Sequence, residues 1–279
     1  MKTITIQTIN GFKQYLLNEE KSQATVNKYV HDLQAFYKWL GDGELCKSSV
    51  LLYKTELCSI YAPTSVNATI SSLNCFFNYM EWYDLKVKSL KIQKQIFASS
   101  DKELTKAEYG RLLSAASRKK NQRLYLLLQT ICSTGIRVSE LCYITVDSLR
   151  LGVAKISCKG KIRQVFLPRQ LCQALREYVK EQKIKSGAVF VTKNGNPLDR
   201  SNIWSDMKGL CKIAHVCEKK VFPHNLRHLF ARTYYSLQKD VVRLADILGH
   251  ANVNTTRIYT MESGEIHKRQ IQKLGLLLC

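Results

Sequence analysis

Apolar residues recur along the first third of the chain at the spacing of one helical face. Val26, Tyr29, Val30, Leu33, Phe36, Tyr37 and Leu40 follow the i, i+3, i+4, i+7 rule and predict an amphipathic helix that stops at Gly41-Asp42-Gly43. Val66, Ile70, Leu73, Phe77 and Met80 predict a second, and weaker patterns over 9–17 and 50–61 complete a set of four. The aromatic residues of this module read as core.

The periodicity then weakens. Lys86, Lys88, Lys91 and Lys94 are spaced along a stretch that ends in Ala98-Ser99-Ser100-Asp101, which reads as a basic linker. A plain solvated tether is the alternative. Thr105-Lys106-Ala107-Glu108 is a capping box, so a new helix and a new domain start there. A strongly apolar helix over 123–133 must be buried and stops at Thr134-Gly135. Arg137 opens the next helix, with Glu140 one turn on and placed to orient it. Two short strands, 153–157 and 165–167, flank Cys158-Lys159-Gly160-Lys161 and predict a hairpin with Lys159 at its tip. A helix through Leu171 and Tyr178, a strand over 188–192 and a helix over 202–213 follow.

The last third carries denser signals. Pro223 suits the first position of a helix and puts His224 and Arg227 on one face, a turn apart at its positive end. Val241, Leu244, Ile247 and Leu248 predict a helix ended by Gly249, from which His250 leaves with its ring free. Asn254 is placed to cap a short helix that points Ile258 to the core with Tyr259 beside it. The segment 266–279 is basic and then apolar through Leu274, Leu276, Leu277 and Leu278, as suits docking on a neighbouring subunit.

Charge gives these elements a partner. The chain has 43 Lys and Arg against 22 Asp and Glu, net +21, yet is 45% hydrophobic, which points to a folded protein that binds a polyanion, nucleic acid above all. The distribution is uneven. Residues 1–100 hold 11 Lys and no Arg against 8 acids, so every arginine lies in the second part, where bidentate phosphate recognition is available. The 10 cysteines sit mostly in apolar patterns and read as buried thiols of a reducing cytoplasm. No apolar run is long enough to span a membrane. Cys211, His215 and Cys217 resemble metal ligands loosely, with no second close pair to complete a set, so no metal is expected.

Tyr259 is the candidate nucleophile. A phenol with a pKa near 10 attacks poorly unless cations surround it and its target is an anion. The cations occur in a telling order: Arg137, Lys159, His224, Arg227, His250, then Tyr259. With Thr134-Gly135-Ile136-Arg137-Val138-Ser139-Glu140-Leu141, the hairpin Lys159-Gly160, Pro223-His224-Asn225-Leu226-Arg227-His228, and Leu248-Gly249-His250 followed by Thr255-Thr256-Arg257-Ile258-Tyr259-Thr260, the chain resembles the tyrosine recombinases of the phage-integrase family. Layout and length are similar to the small Xer-type members. Thr25, Tyr29, Asp32, Leu33, Phe36, Trp39 and Leu40 extend the resemblance over nearly the whole chain.

The resemblance implies a mainly α fold with a small β-sheet. It divides into a four-helix SAM-like core-binding domain (1–84), a basic linker (85–104) and an α+β catalytic domain (105–279). It further implies that Arg137 and Arg227 hold the scissile phosphate and that His250 adds a hydrogen bond. Tyr259 attacks to leave a 3′-phosphotyrosyl link, Lys159 protonates the departing 5′-oxygen, and His224 positions the phosphate or takes the tyrosine's proton. Lys161 is a rival for the role of Lys159. Lys86, Lys88, Lys91, Lys94, Lys161 and Arg163 are expected on DNA, with Glu140 in support. The implied partner is double-stranded DNA with paired half-sites, bound by a homotetramer that exchanges C-terminal tails, with no cofactor and no membrane. The outcome, whether integration, excision, inversion or resolution, stays open. So do two other readings, a catalytically silent DNA-binding accessory factor and a type IB topoisomerase.

Overall fold

Helices form where the apolar periodicity places them. In the computed structural model, which describes residues 2–92, 103–158, 161–192, 194–259 and 272–273 (the backbone alone at 158 and 161), the first four are α1 (Ile6–Asn18), α2 (Gln23–Leu40), α3 (Lys47–Ile60) and α4 (Pro63–Tyr79). Ile9, Phe12 and Leu16 of α1, Val26, Leu33 and Phe36 of α2, and Ile70, Leu73, Phe76 and Phe77 of α4 are buried together, as their spacing requires. Phe12 meets Phe76 edge to face with ring centroids 5.3 Å apart. Among the described residues, two polar side chains lie inside this core, Asp32 and Ser72. Asp32 is 5% exposed, accepts from Ser72 Oγ of α4 at 2.6 Å and pairs with Lys28, so the buried charge is fully partnered.

These helices belong to the first of two compact units, Met1–Lys94 and Gln95–Cys279. The stretch expected to be linker is, as far as residue 90, fastened to the first unit. Leu85 and Val87 are buried and alternate with exposed Lys86 and Lys88. Asn74 of α4 brackets Val87, donating from Nδ2 to its carbonyl at 2.8 Å and accepting from its N–H at 3.0 Å. Asn67, two turns earlier on the same helix, does the same for Leu90 at 2.9 and 2.7 Å. An extended segment is thereby satisfied by side-chain amides where no strand is available to pair with it.

The second unit is built round α6 (Gln122–Thr134), in which Leu124, Leu126, Leu127, Leu128 and Ile131 are all buried. Before it, α5 (Lys106–Arg118) opens with the capping box of Thr105 and Glu108. After it come a 3-10 turn (Val138–Tyr143), α7 (Val146–Leu151), the hairpin β1 (Val153–Cys158) and β2 (Lys161–Phe166), and α8 (Arg169–Glu181). The strands pair antiparallel from Val153 with Phe166 to Cys158 with Lys161. The strand expected over 188–192 is reduced to single bridges, Thr145 with Ala188 and Val191 with Pro197, because a turn from Thr192 to Asn196 folds the segment back on itself. The helix expected over 202–213 is two pieces, α9 (Arg200–Lys208) and α10 (Cys211–Ala214), interrupted at Gly209, a residue that weakens a helix interior. Helices α11 (Pro223–Gln238), α12 (Val241–Leu248) and α13 (Val253–Thr256) complete the unit, and α11 packs along α6.

Among the described residues no helix is long and apolar enough to cross a membrane, and no three of His, Cys, Asp and Glu cluster as metal ligands would. The cysteines whose side chains are described are free thiols, but only Cys172 and Cys211 of them are buried, and Cys58, Cys142 and Cys217 are exposed, contrary to the reading of the set as buried thiols.

Candidate active site

The site forms where two helix ends meet. α6 stops at Gly135, whose φ of +64° closes the last turn, and α12 stops at Gly249, whose φ is +66°. Gly135 answers a second demand: a Cβ there would lie 2.4 Å from Phe230 Cδ1 of α11. These two stops leave carbonyls at Gly135 and Leu248 facing one guanidinium. Arg227 of α11 donates from Nη1 to Gly135 O and from Nη2 to Leu248 O at 2.7 Å. At 1% exposure it is the largest fully buried side chain among the described residues. Burial first, then the neighbouring charge of Arg137, pulls its pKa down to about 10, which leaves it cationic at neutral pH.

Arg137 sits at the mouth. Its backbone N–H and Nη1 donate to Glu140 at 2.9 and 2.8 Å, and Nη2 reaches Gly249 O at 3.3 Å. Glu140 is 3% exposed. Burial pushes its carboxyl up, but the N–H of Arg137 and the guanidiniums of Arg163 and Arg137 outweigh that and hold it below the usual carboxylate range. Support of Arg137 by Glu140 was legible in the sequence.

His250 does not leave the helix end with a free ring. Its Nε2 is 3.1 Å from Arg227 Nη2, and since a guanidinium only donates, Nε2 accepts. Nδ1–H is then left to donate to Thr256 Oγ1 at 2.8 Å. Burial, and after it Arg227, Arg137, Arg163 and His224, lowers the ring to about 4, so it is neutral at pH 7.

Tyr259 completes the group. It is 3% exposed and lies in a T-shaped contact with His228, ring centroids 4.7 Å apart, with its ring near parallel to that of His250. Burial raises the phenol, while the charge and side-chain hydrogen bond of Arg227, and the charge of Arg137, pull the other way. The local path differs from expectation at two points. Asn252, rather than Asn254, caps α13 by accepting from the N–H of Asn254 at 2.8 Å. Thr256 and Tyr259, three residues apart on a tight turn, share the inner face, which leaves Ile258 44% exposed instead of in the core.

Five of the six candidate catalytic residues are thus brought into one neighbourhood. His224, one turn before Arg227 on α11, stands at the exposed rim, its ring lowered by lost solvent and by Arg227, Arg137 and Arg200. Lys159, the sixth, lies outside the described residues, as do Lys94 and the side chain of Lys161. Lys86, Lys88 and Lys91 are exposed on the first unit. Arg163, expected on DNA, has both terminal nitrogens engaged within the protein, Nη2 on Glu140 at 2.6 Å and Nη1 on Ile247 O at 2.7 Å. A cavity of about 660 Å³ opens beside the group, lined in part by Arg137, Glu140, Arg163, Asp246, Gly249 and His250.

Sequence reading passed over His228 and Thr256. His228 bridges His224 and Tyr259, with centroids 4.6 Å from the former, and its ring is lowered to about 4 by burial, then His224 and Arg227. Its signal was present, four residues after His224 and hence on the same face. Thr256 had none, for its role depends on where His250 turns.

Chemically, two guanidiniums, a neutral imidazole and a phenol surround one small space, an arrangement suited to an anionic oxyacid ester and to attack on it by the phenol. Known proteins share the arrangement's frame. The model of the phage integrase family matches residues 102–265, and that of the phage integrase N-terminal SAM-like domain matches residues 9–83. The tyrosine recombinase XerA of Thermococcus kodakarensis is 32% identical over 98% of this chain and 96% of its own. A crystal structure of XerA recombinase is 25% identical and covers 98% of this chain and 99% of its own, with a TM-score of 0.54. A lambda integrase dimer bound to a COC′ core site is 16% identical, covers 94% of this chain and 97% of its own with a TM-score of 0.75, and is alike in fold.

Proposed function

The chain belongs to the phage integrase family, and on that premise we propose which side chains carry out its reaction, the site-specific cleavage and rejoining of DNA through a tyrosine intermediate. Arg137 and Arg227 grip the two non-bridging oxygens of one phosphodiester, a task that suits planar two-pronged donors. Tyr259 Oη attacks phosphorus, an O–P bond forms to the phenol, and the bond to the 5′-oxygen breaks. The phenolic proton leaves toward His224, and Lys159 supplies one to the departing 5′-oxygen, with Lys161 the rival donor. The 3′-phosphotyrosyl bond retains the energy of the bond it replaces, and attack by another 5′-hydroxyl reverses the steps and joins the strands. Readings as a silent accessory factor or a topoisomerase are not favoured by the relatives.

The observation that carries this reading is Tyr259 seated within reach of Arg227 in the same chain, against His228 and His250. The reading also implies an order of events. With the phenol 3% exposed, a duplex phosphate reaches it only when the turn 249–259 shifts outward. The incoming negative charge then favours the imidazolium of His250, which frees Nε2–H to donate to the phosphate. Lys86, Lys88 and Lys91 add attraction to the DNA backbone without reading sequence. The assembly is a homotetramer on paired half-sites that exchanges its tails, residues 266–279, of which all but 272–273 lie outside the described residues.

The test is covalent capture. A nicked duplex recovered from a randomised pool on the wild-type chain becomes the substrate, and denaturing gels follow the adduct. Tyr259→Phe yields none on this account; an adduct from that variant contradicts it. Removal of residues 274–279 abolishes synapsis of two sites while single-site cleavage survives, and intact synapsis contradicts tail exchange.

A further inference from the structure

Arg163 lies on β2, in a hairpin whose sequence, Lys159-Gly160-Lys161-Ile162-Arg163, invites a reading as a basic finger on DNA. Its geometry says otherwise. The side chain is 15% exposed and its fork is divided between two elements: Nη2 meets Glu140 Oε2 at 2.6 Å on the 3-10 turn, and Nη1 meets Ile247 O at 2.7 Å in the last turn of α12. Glu140 in turn holds the backbone and Nη1 of Arg137. Ile247 lies two residues before Gly249, whose carbonyl accepts from Arg137 Nη2, and three before His250. The stem of Arg163 also packs on Gly249, where a Cβ would come 2.4 Å from its Cδ and 2.7 Å from its Nε. Gly249 therefore serves both its left-handed turn and the passage of this arginine.

We infer that Arg163 is a positioning residue for the strand-transfer reaction: one guanidinium tethers the hairpin at once to the Glu140–Arg137 pair and to the turn that presents His250, and it makes no contact with DNA. The inference rests on the proposed roles of Arg137, His250 and Tyr259. Two prongs at fixed angle are needed to satisfy a carboxylate on one element and a carbonyl on another. A lysine, a point charge on a flexible stem, lacks the planar fork that spans the two. Its positive charge reaches further into the site, where it is among the causes that hold Glu140 ionised and His250 neutral.

The full-length chain and its Arg163→Ala, Arg163→Lys and Glu140→Gln variants supply the test in two arms. On a fluorescent 30-base-pair duplex of mixed sequence, Arg163→Ala leaves the dependence of log affinity on log salt unchanged; a slope reduced by about 1 is the signature of a lost phosphate contact and overturns the inference. On the captured nicked duplex at saturating protein, single-turnover adduct formation falls about 10²-fold for Arg163→Ala, the order of loss that small misplacements of reacting groups cause. Arg163→Lys recovers little of it. Arg163→Ala combined with Glu140→Gln is no slower than the slower single variant, because both break the same tether. Wild-type rates in Arg163→Ala, full recovery by lysine, or losses that multiply in the double variant each defeat the inference. Thermal unfolding and the lysine variant separate a misplaced site from an unfolded one. Tyr259→Phe run alongside keeps the two claims apart: an adduct there defeats the nucleophile, whereas Arg163 is judged by its own slope and rates.

Discussion

Two sets of cations, one in each unit, are held in opposite ways. In the first, Lys86, Lys88 and Lys91 stand in solvent on a segment held by Asn67 and Asn74. In the second, Arg227 is 1% exposed and held by main-chain carbonyls, and Arg163, half-buried, is held by a carbonyl and the Glu140 carboxylate. Solvated ammonium groups attract a polyanion wherever it lies, through a force that salt screens. Guanidiniums fixed by carbonyls lose that reach and gain a direction, which is what a reaction at a single phosphorus atom needs. On the proposed roles, affinity falls to one set and rate to the other, and each can be disturbed without the other.

The sharpest disturbance is Tyr259→Phe, which removes the attacking oxygen and nothing else; covalent adduct on the captured duplex disappears while equilibrium binding stays as it was. Next comes Arg137→Ala, with cleavage slowed about 10²–10³-fold, the order seen when one donor to a developing oxyanion is lost. Arg227→Lys slows it similarly and adds a fall in melting temperature, because a buried fork with two carbonyl partners is replaced by one prong. A fast Arg227→Lys enzyme would dissolve the contrast between the two kinds of cation.

A smaller effect is expected from charge removal on the other side. Lys86→Ala, Lys88→Ala and Lys91→Ala together reduce the salt slope of DNA binding by roughly 3 while the cleavage rate at saturation is kept. A change in rate with no change in slope would invert the assignment.

Acid supplies the mildest probe. His228 and His250 have folded values near 4, against about 6.5 when unfolded, so the unfolded chain binds more protons between those limits. Stability of the catalytic unit is therefore present above pH 6.5 and declines as pH falls toward 4, read as a falling melting temperature. Bound DNA raises the His250 value, followed by its ring-proton shift in NMR; an unchanged value would mean that the imidazole never faces the phosphate.

How much of this was legible in the chain depends on how far apart the partners lie. The helices, the stop at Gly135, the Arg137–Glu140 pair and the shared face of His224 and Arg227 each follow from residues within a turn or two. Arg163 could not be placed this way. Its partners are 23 and 84 residues away, and its neighbours in sequence are lysines that imply the opposite environment. Tyr259 was picked out by motif, yet its burial was misjudged, because whether Ile258 or Tyr259 faces inward is set by Thr256 and by the ring of His250 across the turn. The strand lost at 188–192 shows the same limit, since apolar content alone does not supply a ladder to join.

The account stands on Tyr259 as the attacking group. The direct measurement is mass spectrometry of the peptide that remains joined to DNA after capture and proteolysis. A nucleotide bonded through its 3′-phosphate to Tyr259 is the predicted product; a nucleotide on Tyr234, Tyr235 or any other side chain would contradict it.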